Sequence, residues 1–256
     1  MGTTKVKRSS PRRDPLLPQT HKAAGASGKT DRCGACGRFI LLLLPILACA
    51  FVLGSLFLLV YRLGVPITDT TISQCLSDYS PKVECLVVIF IGATLTFVVT
   101  VMRNIQINVY NQRQKCESKA MRFINLIAAV SNILGYAGFV LLATYDVDGP
   151  GQAHQIHYVG AFMYFILTGV YGILHIYLLC KQVQYPMFCK IIFTMVPVAT
   201  IACSITFAVN PTVNYAFEWF SVALHAVFVG LMSVLFMVDS VDDELRDFFC
   251  CRVRKR

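Results

Sequence analysis

The fold class of this chain is decided by residues Phe39–Tyr61, which read FILLLLPILACAFVLGSLFLLVY. This stretch carries no charge and is close to the roughly 20 residues that a helix needs to cross the hydrocarbon core of a bilayer. Five further stretches have the same character: Cys85–Met102, Phe123–Tyr145, Tyr158–Cys180, Ile191–Val209 and Ala216–Val238. The sequence therefore predicts an all-α protein, a bundle of six membrane-spanning helices.

The basic residues predict the orientation of the bundle. All of the 23 Lys and Arg except Arg62 and Lys82 lie before the first span, between spans two and three, between spans four and five, or after span six. Loops rich in Lys and Arg stay in the cytosol during membrane insertion. We therefore expect both termini in the cytosol and the alternate loops on the opposite side.

Composition divides the chain into one membrane domain and two tails. With 56% hydrophobic and 14% charged residues, the chain is too apolar for a soluble domain. Residues 1–38 are basic and rich in Pro, Gly and Ser, which predicts a disordered cytosolic tail. Residues 39–240 form the six-helix domain, and residues 241–256 form a cytosolic C-terminal tail. The net charge of +9 favours anionic inner-leaflet lipids over nucleic acid, because no basic and aromatic nucleic-acid signature is present.

The predicted topology separates the 11 cysteines by compartment. Cys75 and Cys85 face the oxidising side and lie close together in sequence, which favours a loop-closing disulfide, with two thiols as the alternative. The pair Cys250 and Cys251 lies beside a basic cluster at the predicted cytosolic surface, where reversible palmitoylation is common. No metal site is predicted, because no cysteine or histidine cluster has the spacing of a zinc site.

Three of the predicted spans carry polar residues at helical spacing, so that each set shares one helix face. The sets are His157, Ala161, Tyr164, Thr168, Tyr171 and His175 on span four, Glu218, Ser221 and His225 on span six, and Asn125 and Asn132 with Gly135 and Gly138 on span three. Such stripes serve interhelical hydrogen bonding and close packing, or mark a functional site within the membrane.

Depth selects a candidate site from these stripes. Spans four and six both begin on the non-cytosolic side, so His157 and Glu218 lie at one level, with Trp219 in the interfacial aromatic zone. We predict that the two side chains meet and that, with Tyr164 and His225, they bind a lipid or a partner protein. A static tie between helices is the alternative.

The sequence predicts no catalytic residues and no cofactor. It contains no glycine-rich phosphate loop, no nucleophile elbow and no metalloprotease motif. Ser221 shares a helix face with Glu218 and His225, but three residues on one helix cannot readily supply both a nucleophile with its base and an oxyanion hole.

Four passages of the sequence carry a resemblance to a known family. They are Leu76–Asp78 with Glu84 and Cys85–Phe90, Phe123–Leu126 with Gly135 and Gly138, His157–Ala161, and Glu218 with Trp219. In this order, over residues 39–240, they resemble the damage-regulated autophagy modulator (DRAM) family. The wider group contains Sfk-type and post-GPI-attachment lipid-remodelling membrane proteins. The resemblance implies a six-helix bundle without a catalytic residue set.

These observations together predict a non-enzymatic, multi-pass regulator of autophagy or membrane-lipid organisation. The resemblance implies lysosomal, endosomal or plasma membranes, with Golgi and endoplasmic reticulum as alternatives. A factor in GPI-anchor lipid remodelling is the second candidate function, and a transporter or channel is the third. The expected partners are membrane lipids, with a membrane protein as the alternative.

Overall fold

The computed structural model describes residues 30–64, 66–77, 82–113, 118–146, 151–182, 185–210 and 215–238. Within these ranges the chain forms helices and no strand. The helices are α1 (Thr30–Leu63), α2 (Ile72–Ser77), α3 (Lys82–Arg113), α4 (Lys119–Thr144), α5 (Gln152–Lys181), α6 (Met187–Val209) and α7 (Tyr215–Val238). All except the short α2 are long and apolar enough to cross a membrane. The predicted all-α fold with six spans is confirmed.

Helices α1 and α3 extend furthest beyond the apolar stretches that predicted them. Helix α1 begins at Thr30, inside the predicted N-terminal tail, and α3 continues to Arg113, well past Met102. The extension of α3 remains helical because it keeps one buried face, formed by Arg103, Gln106, Ile107, Tyr110 and Asn111. Most of the predicted N-terminal tail, the whole predicted C-terminal tail and the Cys250–Cys251 pair lie outside the described residues.

The six long helices form a closed ring. Each packs beside two neighbours, in the order α1, α3, α4, α5, α6, α7 and back to α1. The α4–α5 contact is the most extensive of these, and the α5–α6 contact is the least extensive. Helix α2 contacts α1 and α4 at one end of the ring, which we call the α2 end. The opposite end, where α1 begins and α7 ends, is the terminal end.

Helices α4 and α5 approach closely because glycine replaces larger residues where they cross. A Cβ atom on Gly138 would lie 2.6 Å from the carbonyl oxygen of Gly160, and one on Gly160 would lie 2.7 Å from the backbone nitrogen of Leu142. Both obstacles are backbone atoms, which cannot rotate away. Small residues at such crossings let membrane helices pack at van der Waals distance where no hydrophobic driving force exists between them.

Candidate functional site

A groove lies between α5 and α6, where the ring has its least extensive contact. Its volume is about 760 Å³, within the range of small-molecule sites in proteins. Most of its wall is apolar, and at the α2 end it becomes polar. The apolar wall includes Phe162, Phe165, Ile166, Val170, Ile173, Ile201, Ile205 and Phe207, and the polar end is formed by Thr71, Ser73, Gln74, His157 and Glu218. We call this feature the α5–α6 groove.

Several side chains of the groove wall also face outward from the bundle. Phe162 is 67% exposed, and Ile166 and Ile205 are about half exposed. In a membrane such large apolar side chains contact lipid. The α5–α6 groove is therefore accessible from the lipid phase.

Glu218 binds the backbone of another segment, not a neighbouring span. Its Oε2 accepts a hydrogen bond from the backbone N–H of Ile72 at 3.0 Å, and its Oε1 accepts one from the Ser73 hydroxyl at 3.0 Å. The next residue acts on the same segment, since Trp219 Nε1 donates to the carbonyl oxygen of Thr70 at 2.9 Å. Together Glu218 and Trp219 fix the start of α2 against α7.

The start of α2 is also capped by its own residues. The Thr71 hydroxyl accepts from the backbone N–H of Gln74, and the Gln74 Oε1 accepts from the backbone N–H of Thr71, both at 3.0 Å. This reciprocal arrangement is a capping box, which satisfies backbone donors that a helix start leaves unpaired. Glu218 supplies an acceptor for a further such donor from a different helix. The polar end of the groove is thereby held in a fixed geometry.

His157 is fixed by a single backbone contact. Its Nδ1 lies 2.8 Å from the carbonyl oxygen of Tyr145 at the end of α4. A carbonyl oxygen only accepts hydrogen bonds, so Nδ1 carries the proton. The predicted direct pair of His157 with Glu218 is not formed, because Glu218 binds the start of α2 and His157 binds the carbonyl oxygen of Tyr145. Both nevertheless line the polar end of the α5–α6 groove.

Tyr164 and His225 belong to the interior of the bundle and do not line the groove. His225 Nε2 lies 3.2 Å from Asn132 Oδ1, and the Asn132 amide donates to the Thr100 hydroxyl at 2.7 Å. The Tyr164 ring lies edge-on to the His225 ring at 6.1 Å. These contacts join α3, α4, α5 and α7, so the two residues serve packing between spans and not the groove surface.

The polar stripes lie on buried helix faces, as the spacing predicts. His157, Thr168 and His175 of α5 and Asn125 and Asn132 of α4 are all buried. On α7, Glu218, Ser221 and His225 are each 2% exposed or less. The three α7 residues bind different helices, since the Ser221 hydroxyl lies 2.6 Å from the Ser204 hydroxyl of α6.

Cys75 and Cys85 do not form the predicted disulfide. Both are present as thiols and both are buried. The Cys75 Sγ lies 3.7 Å from the Thr70 hydroxyl oxygen, and both cysteines pack in the apolar cluster at the α2 end. The two cysteines therefore contribute to packing, in which a thiol behaves as a small apolar group.

A buried cation at the terminal end was missed by the sequence analysis. Arg103 of α3 is only 2% exposed, although it follows the end of an apolar stretch and was counted among the loop residues. Its guanidinium donates to Gln106 Oε1, to Gln182 Oε1 at 3.3 Å and to the Tyr185 hydroxyl at 3.1 Å. In the sequence, Ile107 and Tyr110 follow Arg103 by four and seven residues, and this helical spacing of apolar residues is the signal that could have placed Arg103 inside a helix.

Within the described part of the chain, every hydrogen-bond partner of the Arg103 side chain is neutral. Its charge also lies 5.6 Å from the centre of the Tyr185 ring, a cation–π distance. Gln106, which accepts from Arg103, donates through its amide to the Leu235 carbonyl oxygen at 3.1 Å. Arg103 thereby links α3 to α7 and to the connection between α5 and α6.

The ring of six spans with a lipid-accessible groove defines a multi-pass α-helical membrane protein. A family model described as the Frag1/DRAM/Sfk1/Cwh43P N-terminal domain matches residues 38–237. The chain belongs to this family, and the match confirms the resemblance to the DRAM and Sfk-type proteins. Comparison with curated proteins and with solved structures gave no match.

Proposed function

We propose that the chain is a non-enzymatic regulator of autophagy or membrane-lipid organisation that acts by binding a membrane lipid. The observation that carries this proposal is the α5–α6 groove, which combines an exposed apolar wall with a polar end beside α2. Such a groove matches an amphiphilic lipid, whose chain needs an apolar wall and whose head group needs hydrogen-bonding partners.

The contacts of the polar end support binding without catalysis. Glu218 is engaged by the start of α2, and the Ser221 hydroxyl lies against Ser204. His157 is held by a backbone carbonyl and is not hydrogen-bonded to a serine or cysteine. A nucleophile requires a base within hydrogen-bond reach. In the described groove lining the Ser73 hydroxyl meets this condition with Glu218, but the same carboxyl group also accepts from the Ile72 N–H, so we interpret this contact as a structural tie at the start of α2.

The compartment belongs to the same proposal. We assign the chain to lysosomal, endosomal or plasma membranes, with the Golgi and the endoplasmic reticulum as alternatives. Microscopy of a C-terminally tagged chain against markers of each membrane tests this assignment. Loss of GPI-anchored proteins from the surface of cells lacking the chain would instead favour a role in GPI-anchor lipid remodelling.

Two matched glycines allow the lipid-binding proposal to be tested. Gly169 lines the groove, and a Cβ atom there would meet only Ile201 Cγ1 at an ordinary 3.6 Å. Gly54 of α1 is exposed outside the groove, with nothing within 4 Å of an added Cβ. Gly169→Leu therefore fills part of the groove, and Gly54→Leu adds the same side chain elsewhere.

The experiment feeds cells a photoreactive, clickable fatty acid that enters their lipids, then cross-links and isolates the tagged chain. We expect the wild type and Gly54→Leu to carry label in α5 or α6, and Gly169→Leu at equal abundance to lose most of it. The same variants are returned to cells lacking the chain to measure autophagic flux and lipid distribution. Full rescue by a Gly169→Leu chain that has lost its label would contradict the proposal.

A further inference from the structure

The polar end of the α5–α6 groove has a hydrogen-bonding pattern that selects among lipids. We propose that the groove takes an uncharged lipid whose head is a free hydroxyl group, as in diacylglycerols, ceramides and sterols. This inference rests on the proposed function, since it names the class of lipid for the same groove. It excludes phospholipids and cationic amphiphiles as the preferred ligands.

The charges around the groove disfavour an anionic head. Its described lining contains the carboxyl group of Glu218, which is 2% exposed, and contains no Lys or Arg. The basic residue Arg62 at this end is exposed and paired with Glu84 at 3.2 Å. A phosphate in the groove would meet Glu218 without a counterion, and in a medium of low dielectric constant that repulsion is strong.

His157 supplies an acceptor to the groove. Because its Nδ1 donates to the Tyr145 carbonyl oxygen, the opposite nitrogen Nε2 of the neutral ring carries a lone pair. Nε2 makes no hydrogen bond to any residue that the structure describes. An acceptor buried within a membrane protein gains from a ligand that brings a donor.

Gln74 supplies a donor. Its Oε1 is occupied by the backbone N–H of Thr71, and that contact identifies the other terminal atom as the amide nitrogen. This NH₂ group makes no hydrogen bond within the described ranges. A hydroxyl group both donates and accepts, so it matches an acceptor and a donor offered together.

A cationic head would have to compete with the start of α2 for Glu218. Each of its carboxyl oxygens already accepts a hydrogen bond, from Ile72 N–H and from the Ser73 hydroxyl. These contacts tie Glu218 to the start of α2 and take up part of its capacity to accept. Within the described part of the chain, the polar end still offers the His157 Nε2 acceptor and the Gln74 amide donor to a ligand.

The test uses the full-length chain in nanodiscs with photoreactive, clickable probes at equal mole fraction. The probes are a diacylglycerol, a ceramide, a sterol, a phosphatidylserine and a sphingosine, and labelled peptides are mapped to α5 and α6. We expect at least one of the three hydroxyl lipids to label the groove about tenfold more than the two charged probes, since a matched hydrogen bond in a desolvated site is worth roughly a factor of ten. The probe that labels best identifies the lipid source.

A second arm isolates the hydroxyl proton. The O-methyl ether of the best probe keeps the oxygen but removes the donor, and it should label about tenfold less than the alcohol. His157→Phe removes the acceptor and keeps an aromatic ring, so the ratio of alcohol to ether labelling should fall towards one. Retained labelling by the ether shows that the variant is folded.

The possible failures separate the two claims. Groove labelling that favours phosphatidylserine or sphingosine would overturn the hydroxyl-lipid inference and leave lipid binding in place. Equal labelling by alcohol and ether in the wild type would do the same. If no lipid probe labels α5 or α6, both this inference and the lipid-binding function are wrong.

Discussion

At the scale of single residues, the acidic group of the candidate site is a structural anchor. Glu218 accepts from two donors at the start of α2, and Trp219 donates to the preceding carbonyl. An intramembrane carboxyl group is costly to bury unless its hydrogen bonds are satisfied. Glu218 is therefore tied to the geometry of the α2 end, whatever lipid occupies the groove.

The first prediction separates charge from hydrogen bonding at Glu218. Glu218→Gln can still accept from Ile72 N–H, and its new NH₂ can donate to the Ser73 hydroxyl, so thermal stability in detergent should stay near that of the wild type. Glu218→Ala removes the acceptor of both donors, of which the Ile72 N–H is buried, and should cost about 1–3 kcal/mol. Phe220→Ala, at an exposed neighbouring position, is the control. A Gln variant as unstable as the Ala variant would show that the charge itself is needed.

The second prediction concerns the buried cation. Arg103→Leu leaves the acceptors on Gln106, Gln182 and Tyr185 without their donor and should lower stability by about 1–3 kcal/mol. Arg103→Lys should recover only part of this loss, because an ammonium group lacks the planar fork of the guanidinium. Melting of the detergent-solubilised chain, followed by size-exclusion chromatography, measures both effects. Lys119→Leu at the exposed start of α4 is the control. Equal stability of the Leu variant and the wild type would contradict a structural role for Arg103.

At the scale of helices, the sequence predicted the spans well and the contacts between them poorly. A helix that crosses a bilayer needs about 20 mostly apolar residues. The spans in α1 and in α3 to α7 could therefore be recognised individually. The six-residue helix α2 was not predicted, because it depends on a capping box and on Glu218, which is far away in sequence. The predicted topology did place His157 and Glu218 at the same end of the bundle. The hydrogen-bond partners of the two side chains could not be predicted, because they depend on connecting segments whose path the sequence leaves open.

The third prediction tests the glycine crossing of α4 and α5. Alanine generally stabilises a helix by up to about 1 kcal/mol over glycine. At Gly138 the added Cβ would lie 2.6 Å from a backbone oxygen and 2.8 Å from a backbone nitrogen, so a net loss of about 1–3 kcal/mol is expected. Gly54→Ala, in open space, should be neutral or stabilising. Thermal melting of the two variants in parallel shows whether each substitution stabilises or destabilises the protein. Equal behaviour would mean that the helices do not cross this closely.

At the scale of the whole molecule, orientation in the membrane rests on the charge distribution. An even number of spans predicts that both termini lie on one side, and the basic loops predict that this side is the cytosol. The terminal end of the ring, with Arg103, would then face the cytosol. The polar end of the α5–α6 groove would face the opposite leaflet.

The fourth prediction follows from that orientation. Epitope tags at either terminus should become accessible to antibody only after the membrane is permeabilised, when the chain is at the plasma membrane. A tag inserted between Gly149 and Gly151 should be accessible on intact cells. A cytosolic marker protein provides the control for membrane integrity. Terminal tags on opposite sides would contradict the six-span topology.

The link at Arg103 has a mechanical consequence for the ring. Gln182 and Tyr185 lie in the connection that joins α5 to α6, and Arg103 of α3 holds both. Helix α5 is locked to α4 by glycine contacts, and α6 is tied to α7 by the Ser204–Ser221 contact. The two helix pairs therefore face each other across the groove, and at the terminal end Arg103 holds the connection between them. We expect a lipid that enters the groove to separate α5 from α6 more at the α2 end than at the terminal end, where Arg103 holds the connection between them.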